Sequence, residues 1–422
     1  MNIPIKKVEQ IFAWMAALFI VAVSGVPIVY EHTSREFVWP IAVCVLGSIW
    51  IWRGCRFSRN GVLILLVFLF AVIVHAFAYW GMGARASLGF LFMLTTTFLA
   101  VNIATNFVEK YISIMVVLAA VSLCFFVPQQ LGLVSASMFS GLPGAALENG
   151  NVHAWIYNFH WLHIGRNSGP FWEPGAFAGY LVVALTLSMF TEHKTSNRSL
   201  IILMLALITT YSTTGFVAAM PVVYLWLSRR FKHVKVDLKL AGMLGSVFVA
   251  IVVFGIMMQE IPFLVDKIQS QYEKTSKRSE QYEKLRFGAA VYDWDFIVKR
   301  PIIGWTPDEA PREKIDPSFP EIYQDTGNGF TGFAAKFGVL ALFFYLWRVY
   351  ATSREHGLKI SESWVVVITF VAMLQGEQFL NWPIFWAIMM MPPRRTEIQA
   401  VLSSVARSAA APMGRGGIAA PS

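Results

Sequence analysis

The stretch GVLILLVFLFAVIVHAFAYW, residues 61–80, contains no Asp, Glu, Lys or Arg. About 20 apolar residues are the length that an α-helix needs to cross the hydrocarbon core of a bilayer. The stretch therefore predicts a transmembrane helix. Other apolar runs repeat the pattern, and the pairs 199–211/216–228 and 364–376/383–392 could each be two tilted helices or one re-entrant hairpin. The twelve predicted spans are 10–30, 37–52, 61–80, 87–107, 111–128, 172–191, 199–211, 216–228, 240–258, 327–348, 364–376 and 383–392.

The composition of the whole chain agrees with a bilayer as its main solvent. Hydrophobic residues make up 56% of the 422 residues, charged residues only 14%, and the mean hydropathy is +0.56. Soluble proteins carry about 25% charged residues, so this chain cannot cover a water-facing surface. Cys44, Cys55 and Cys124 are too few and too scattered for a disulfide framework or a metal site.

The formal net charge of +9 is explained by membrane topology. With the N-terminus inside, the cytoplasmic segments hold twenty Lys and Arg residues, and the short outer loops hold only Arg35, Arg85 and Arg166. This is the asymmetry of the positive-inside rule. The outer segment 259–326 has 10 basic and 13 acidic residues, a net charge of −3. A basic nucleic-acid surface is therefore excluded, and both termini are predicted to be cytoplasmic.

The hydropathy pattern predicts an all-α polytopic membrane protein with about twelve transmembrane helices and two long periplasmic loops. The first run, 10–30, is interpreted as a retained helix because no small-residue cleavage site follows it. The predicted segments are the N-terminal helices (1–128), a first long periplasmic loop (129–171), central helices (172–258), a large periplasmic loop (259–326), C-terminal helices (327–392) and a disordered cytoplasmic tail (393–422).

The segment Arg166-Asn-Ser-Gly-Pro-Phe-Trp-Glu173-Pro174 lies where the first long loop meets the sixth span. Proline favours the first helical position, so Pro174 is predicted to begin a helix with Glu173 near its cap. Arg166, Gly169 and the positive end of that helix together suit an anionic group such as phosphate. Alternatively, Glu173 caps its own helix and pairs with Arg166.

The large outer loop contributes a second basic segment. The near-repeat Gln271-Tyr-Glu-Lys and Gln281-Tyr-Glu-Lys predicts a polar helix on the membrane surface. Arg286 precedes an amphipathic stretch, 287–298, which ends at Lys299 and Arg300. Asp293 and Asp295 lie two residues apart and face different ways on a helix, which argues against a general acid/base pair.

Other polar and aromatic groups permit more than one interpretation. His153, His160 and His163 could hold a metal, although interfacial histidines are favoured. Trp155, Tyr157, Trp161 and Trp172 fit either an aromatic belt or stacking on sugars. Ser212-Thr-Thr-Gly predicts a tight turn, and Thr326-Gly-Asn328-Gly starts the tenth span. Glu377 and Lys336 lie near membrane depth, where a charge needs a partner or a use.

These segments, in this order, resemble a known family. Residues 166–174 resemble the R-x-S-G-x-x-x-E-P motif of Wzy-type polysaccharide polymerases, within the O-antigen polymerase and ligase superfamily. The Ser-Thr-Thr-Gly turn resembles a short hairpin of that family. Arg286, Trp294 and the run Arg300-Pro-Ile-Ile-Gly304 resemble its R…W…P-x-x-G stretch, and Asn328-Gly followed by Phe337-Gly resembles its N-x-x…G segment. The resemblance covers roughly residues 160–380.

The resemblance implies a fold similar to GT-C-type membrane glycosyltransferases, in the inner membrane of a Gram-negative bacterium. It implies a polymerase that joins repeat units carried on undecaprenyl diphosphate, at the periplasmic face, with chain-length regulator and flippase proteins as possible partners. The donor and acceptor are both lipid-linked glycans. No cofactor and no metal are expected, because outer-loop arginines could stabilise the diphosphate leaving group.

The predicted site follows from that chemistry. Arg166 and Arg286 are expected to hold the diphosphate, with Lys299 or Arg300 as helpers. Glu173 is the first candidate for the general base, with Asp325 and Glu377 behind it. Gly169, Pro174, Arg300 and Asn328 are expected to bind substrate. O-antigen ligases place a histidine beside the asparagine, where this chain has Gly327, so polymerase is favoured over ligase. A transporter or flippase is a further alternative.

Overall fold

The computed structural model of the chain describes residues 5–31, 35–55, 57–147, 150–191, 195–230, 286–308 and 327–392, and it is mainly helical. Its helices are α1 (Ile5–Ala22), α2 (Pro27–Glu31), α3 (Arg35–Trp52), α4 (Arg59–Ala78), α5 (Ala84–Ile103), α6 (Phe107–Gln130), α7 (Pro174–Leu187), α8 (Asn197–Thr209), α9 (Thr213–Arg230), α10 (Arg286–Lys299), α11 (Gly329–Phe337), α12 (Val339–Glu355), α13 (Ile360–Leu374) and α14 (Pro383–Met390). Two short strands, β1 (Val152–His153) and β2 (Asn158–Phe159), pair antiparallel. The predicted all-α fold therefore gains a small hairpin.

Three helices in the described part of the chain, α4, α5 and α6, are long and apolar enough to cross a membrane. They coincide with the predicted third, fourth and fifth spans. Helix α8 has 13 residues, which at 1.5 Å per residue makes about 20 Å against a hydrocarbon core of about 30 Å. For the other runs a full crossing stays a prediction, and 240–258 lies outside the described residues.

The first predicted span, 10–30, is not one helix. Helix α1 ends at Ala22, and α2 begins at Pro27, because proline lacks the N–H that would continue the ladder of helical hydrogen bonds. The backbone between the two helices is used by the rest of the bundle. The Ser24 carbonyl accepts a hydrogen bond from the Tyr180 hydroxyl, and Ser24 Oγ accepts one from Ile384 N at 3.1 Å.

The tenth predicted span, 327–348, is also two helices, α11 and α12, which meet at Gly338. Gly338 has φ 85°, in the left-handed region that glycine tolerates. The turn Pro301–Trp305 fills the break, because Val339 N donates to Pro301 O at 2.7 Å and Trp305 N donates to Ala335 O at 2.9 Å. The prediction of one continuous span was wrong. Hydropathy depends on the side chains within the run, and it carries no information about backbone from another segment that packs into the break.

Helices α7 and α14 lie at the centre of the bundle. Every residue of α14 is buried, as is every residue of α7 except Gly175. A helix that is apolar on all sides belongs in an interior, and α7 packs against α6, α8 and α9. Helix α9 packs along α13, and α3 along α5. The helix that follows the Arg166 motif is thus held on several sides.

The pair 199–211/216–228 forms two separate helices, α8 and α9. The turn between them is tight, as predicted, because Ser212 Oγ accepts a hydrogen bond from Gly215 N at 3.2 Å at the start of α9. The pair 364–376/383–392 likewise forms α13 and α14, with a short 3₁₀ turn, Phe379–Asn381, between them. The turn within each pair lies against the N-terminal half of α7.

Candidate functional site

The Arg166–Pro174 motif is positioned by the start of α7. Pro174 is the first helical residue and Glu173 is the N-cap residue, with extended backbone at φ −155° and ψ 164°. This confirms the predicted helix start. The Glu173 carboxylate makes no capping hydrogen bond to the helix, so capping by this side chain does not explain why a glutamate is there. The positive end of α7 is instead presented beside the half-buried Glu173.

Arg166 is held by the turn between α8 and α9. Its Nε donates to Thr210 O at 3.0 Å, which fixes the orientation of the guanidinium plane. The next residue strengthens the link, because Asn167 N donates to Thr209 O at 2.9 Å and Asn167 Nδ2 donates to Ser122 Oγ at 3.0 Å. The motif therefore joins α6, α7 and the α8–α9 turn.

His160 belongs to the same group of charges. Burial lowers the pKa of His160 below its ordinary value, while the nearby Glu173 raises this pKa and Arg166 lowers it. Leu162 N donates to His160 Nδ1 at 3.2 Å, so a neutral ring carries its proton on Nε2. His160 is thus within electrostatic range of both Arg166 and Glu173. The sequence alone favoured interfacial histidines, and only the folded loop shows this neighbourhood.

Gly169 is required by the local backbone of the motif. Its φ is +52°, and a Cβ at this position would lie 2.8 Å from the ring of Phe177. Gly169 N donates to Asn167 Oδ1 at 2.9 Å, and Asn158 N donates to Gly169 O at 2.7 Å. The glycine thus shapes the turn that separates Arg166 from Glu173. Contact with substrate stays a prediction for Gly169 and for the buried Pro174.

The remaining polar motifs touch one another through glycines. A Cβ at Gly215 would lie 2.5 Å from Ala178 Cβ in α7, and one at Gly376 would lie 2.6 Å from Thr214 Cγ2. A Cβ at Gly329 would collide with the Glu377 carbonyl. The Ser212–Gly215 turn therefore packs against the start of α7. The segment Gln375-Gly-Glu-Gln378 packs against that turn, and Asn328-Gly329 packs against Gln375-Gly-Glu-Gln378.

Asn328 caps α11 and links it to α13. Its Oδ1 accepts hydrogen bonds from Phe330 N at 3.0 Å and Thr331 N at 3.1 Å, and its Nδ2 donates to Gln375 Oε1 at 3.0 Å. The amide is therefore engaged at both ends by the protein. Thr331 Oγ1 donates to Asp293 Oδ2 at 2.7 Å, which fastens α11 to α10.

Lys336 has the partner that a lysine in an apolar bundle requires. It is buried, and its Nζ donates to Gln378 Oε1 at 3.0 Å, which also accepts a hydrogen bond from Asn381 Nδ2 at 2.6 Å. Glu377, beside this group, is half-buried, and its carbonyl accepts a hydrogen bond from Phe379 N at 2.8 Å. Lys336 therefore forms a polar link between α11 and the α13–α14 turn.

The second basic segment is arranged differently. The Arg300 guanidinium lies over the rings of Tyr79, at 4.7 Å, and Trp305, at 4.5 Å. Lys299, the last residue of α10, is exposed. Arg286 begins α10, as expected of an amphipathic helix there, but its side chain lies outside the described residues. The predicted candidate Asp325 and the Gln-Tyr-Glu-Lys repeats also fall outside them.

Among the three histidines of the first loop, His153 has surroundings separate from those of the other two. His153 is fully buried and its Nε2 bonds to Pro170 O at 2.9 Å, whereas the rings of His160 and His163 have centroids 4.6 Å apart. Within the described residues, no three His, Cys, Asp or Glu side chains come together closely enough to hold a metal ion. Among the aromatic residues, Trp172 stacks on Trp382 with centroids 5.0 Å apart.

Comparison with known families gives two matches. Residues 38–272 match the family model described as WcaD colanic acid polymerase, and residues 199–346 match the model described as O-Antigen ligase. No curated protein matches the chain, and no solved structure matches it either. The first match spans more than half of the 422 residues. The second includes the α8–α9 turn, α10 and α11.

Proposed function

This chain belongs to the family described as WcaD colanic acid polymerase, within the Wzy-type polysaccharide polymerases and ligases, and on that premise we propose that it joins oligosaccharide repeat units carried on undecaprenyl diphosphate into a polysaccharide. The families indicate a membrane enzyme of the polymerase or ligase type that transfers glycosyl groups. We place the reaction at the periplasmic face of a bacterial inner membrane, with both termini in the cytoplasm.

In the proposed reaction a hydroxyl of the acceptor unit attacks the anomeric carbon of the donor chain. The bond from that carbon to the diphosphate oxygen breaks, the lipid diphosphate leaves with the electron pair, and the hydroxyl proton passes to a base. Negative charge develops on the leaving group, so fixed donors aimed at it lower the barrier. The proposed reaction therefore needs cationic groups and one proton acceptor on the same side of the membrane.

The observation that supports the proposal is that Arg166 and Glu173 both lie within electrostatic range of His160, with Glu173 at the positive end of α7. The hydrogen bond from Arg166 Nε to Thr210 O orients the guanidinium before substrate arrives, and the first N–H groups of a helix attract phosphate oxygens. We assign diphosphate binding to Arg166. His160, whose Nδ1 accepts the Leu162 N–H and so leaves Nε2 as the donor, is assigned as a further hydrogen-bond donor to the same group.

Glu173 is the proposed general base. It is half-buried, holds the N-cap position at the positive end of α7 and lies within electrostatic range of His160. Glu377 and Asp325 remain behind it as candidates. Arg286, the first residue of α10, is proposed as the second cation. The Asp293–Thr331 hydrogen bond fastens α10 to α11 and so holds the helix that carries Arg286. Asn328 is proposed to support substrate binding by holding α11 against Gln375.

The test is the profile of lipid-linked glycans in a strain that lacks the gene. We expect single repeat units on the carrier lipid and no long polymer, with polymer restored by the wild-type gene. Normal polymer in the deletion strain would contradict the proposal. Chain-length regulator and flippase proteins are proposed partners, and their deletion strains serve as reference profiles.

A ligase that passes finished polymer to an acceptor such as lipid A core is the second candidate. It is favoured by the match of residues 199–346 to the O-Antigen ligase model. The same experiment separates the two functions, because loss of a ligase would leave long polymer on the carrier lipid. The glycine at position 327, where ligases have a histidine, weighs against this candidate.

A further inference from the structure

The first long loop, here called the hairpin loop (residues 131–165), turns large apolar side chains outward. Its only Asp, Glu, Lys or Arg is Glu148. The exposed fraction of these side chains runs from 41% to 68%. They are Leu131, Leu133, Met138, Leu142, Trp155, Ile156, Trp161, Leu162 and Ile164. A water-facing loop of this length ordinarily carries charges, and contiguous exposed apolar surface marks an interaction site.

The hairpin loop has a packed interior of its own, so the outward side chains are not a sign of incomplete folding. Phe139, Tyr157 and Phe159 pack with the end of α6 around the buried Phe126. Tyr157 OH donates to Gln129 Oε1 at 2.8 Å, and Gln129 Nε2 donates to Ile164 O at 3.2 Å. These bonds hold the loop against the last turn of α6 and keep its apolar face outward.

Trp155 is presented at the tip of the hairpin at a conformational cost. Its φ is +63°, a region that bulky residues rarely occupy. Hairpin turns that need positive φ usually place Asn or Gly there. Here the chain places an indole instead, 58% exposed, beside the exposed Ile156. Such a cost is expected where the side chain has a use outside the loop.

We propose that the hairpin loop is embedded in the interfacial layer of the bilayer leaflet where α6 ends. The exposed face continues the outer surface of α6, a candidate membrane span, because Val127 in its last turn is 50% exposed and Leu131 follows directly. Tryptophan prefers the headgroup level, and apolar side chains reach the acyl boundary below it. A lipid surface therefore matches the composition of this face.

The embedded loop brings the predicted site to the depth of the headgroups. Arg166 follows Ile164 after one residue, and His160 lies between Trp155 and Trp161. A diphosphate on a membrane lipid would thus meet Arg166 without leaving the headgroup layer. This consequence rests on the proposed function, whereas the depth of the loop does not, so the two can fail separately.

The experiment measures depth with a fluorescent probe on single cysteines. In the full chain with Cys44, Cys55 and Cys124 replaced by serine, Leu133→Cys, Trp155→Cys and Leu162→Cys are labelled with an environment-sensitive dye. The proteins are placed in phosphatidylcholine vesicles with or without a spin label on the acyl chain. Glu109→Cys is the matched control, since Glu109 is exposed in the first turn of α6, at its opposite end.

We expect the loop probes to emit at shorter wavelength than the Glu109 probe and to be quenched more strongly by the spin-labelled lipid than by aqueous iodide. The same result with uncharged and anionic lipids is expected, because the loop has almost no charge. Probes quenched by iodide as strongly as the control would overturn the proposal. So would probes shielded from both quenchers, which would indicate a second copy or a protein partner. Three positions are used so that one poorly folding variant does not decide the result.

Discussion

Arg166 and Arg300 are both arginines that precede a Pro- and Gly-containing motif, and both were predicted to contact substrate. Their surroundings differ. Arg166 makes a hydrogen bond with the Thr210 carbonyl and lies near His160, which Glu173 also neighbours. The guanidinium of Arg300 instead faces two aromatic rings. Arg166 therefore has polar and charged neighbours, whereas Arg300 packs on aromatic rings.

The turn that follows Arg300 explains the difference. Tyr79 OH donates to the Gly304 carbonyl, and His75 Nε2 bonds to Ile303 O at 2.7 Å. A Cβ at Gly304 would lie 2.5 Å from Gly338 N. The Pro-x-x-Gly resemblance thus corresponds to a structural turn that joins α4, α11 and α12. A motif that is shared within a family is not by that fact a catalytic motif.

The largest expected effect is that of Arg166→Ala. Removal of a cation that stabilises the leaving diphosphate is expected to lower the rate of polymerisation by about 10²–10³. The measurement is polymer yield and initial rate in membranes that contain equal amounts of the variant and the wild-type protein.

Arg198→Ala is the matched control, because Arg198 is exposed at the opposite end of α8. It should leave polymer unchanged. Wild-type polymer from Arg166→Ala would remove Arg166 from the site and with it the contrast with Arg300.

The next largest effect is that of Gly304→Val, which should destabilise the protein and not act on the reaction itself. A side chain at φ +68° that also overlaps the backbone at Gly338 is expected to cost about 2–5 kcal/mol. We expect less protein in the membrane and a lower denaturation temperature in detergent. Gly54→Val is the control, since Gly54 also has positive φ but open space around it. Equal stability of the two variants would show that the packed turn is not structural.

A smaller effect is expected for Arg300→Ala. Loss of the contacts with the Tyr79 and Trp305 rings should cost about 1–2 kcal/mol of stability, with the reaction rate per folded molecule kept. Arg300→Lys should recover part of the stability. A rate loss as large as that of Arg166→Ala, at unchanged denaturation temperature, would return Arg300 to the substrate site.

The smallest effect concerns pH. Burial lowers the pKa of His153 below its ordinary value of about 6.5, and its bond to Pro170 O opposes this only in part. Between the lowered pKa and about 6.5 the unfolded chain binds more protons, so stability falls as pH decreases through that window. For this one group the slope is at most about 1.4 kcal/mol per pH unit.

The measurement is denaturation temperature between neutral and mildly acidic pH. His153→Gln keeps a side-chain donor and should flatten the slope. His160, whose pKa is also lowered by burial, should contribute a slope of the same sign that His153→Gln leaves in place. An unchanged slope in His153→Gln would contradict the assignment.

The start of α7 at Pro174 and the tight Ser-Thr-Thr-Gly turn could be predicted, because proline and glycine act on the backbone locally. The break at Gly338 could not, since it is filled by the turn Pro301–Trp305, which is distant in sequence. The nearness of His160 to Arg166 also escaped prediction, as it depends on how the hairpin loop folds back on α6.

The sequence by itself determined that this is a membrane protein, because about 20 apolar residues in a row have no stable place in water. It also determined the family, because residues 38–272 match the model described as WcaD colanic acid polymerase. Only the tertiary structure decided that Arg166 and Arg300 have different surroundings and that Asn328 caps α11. These outcomes depend on which groups that are distant in sequence come into contact, and the order of amino acids alone does not give those contacts.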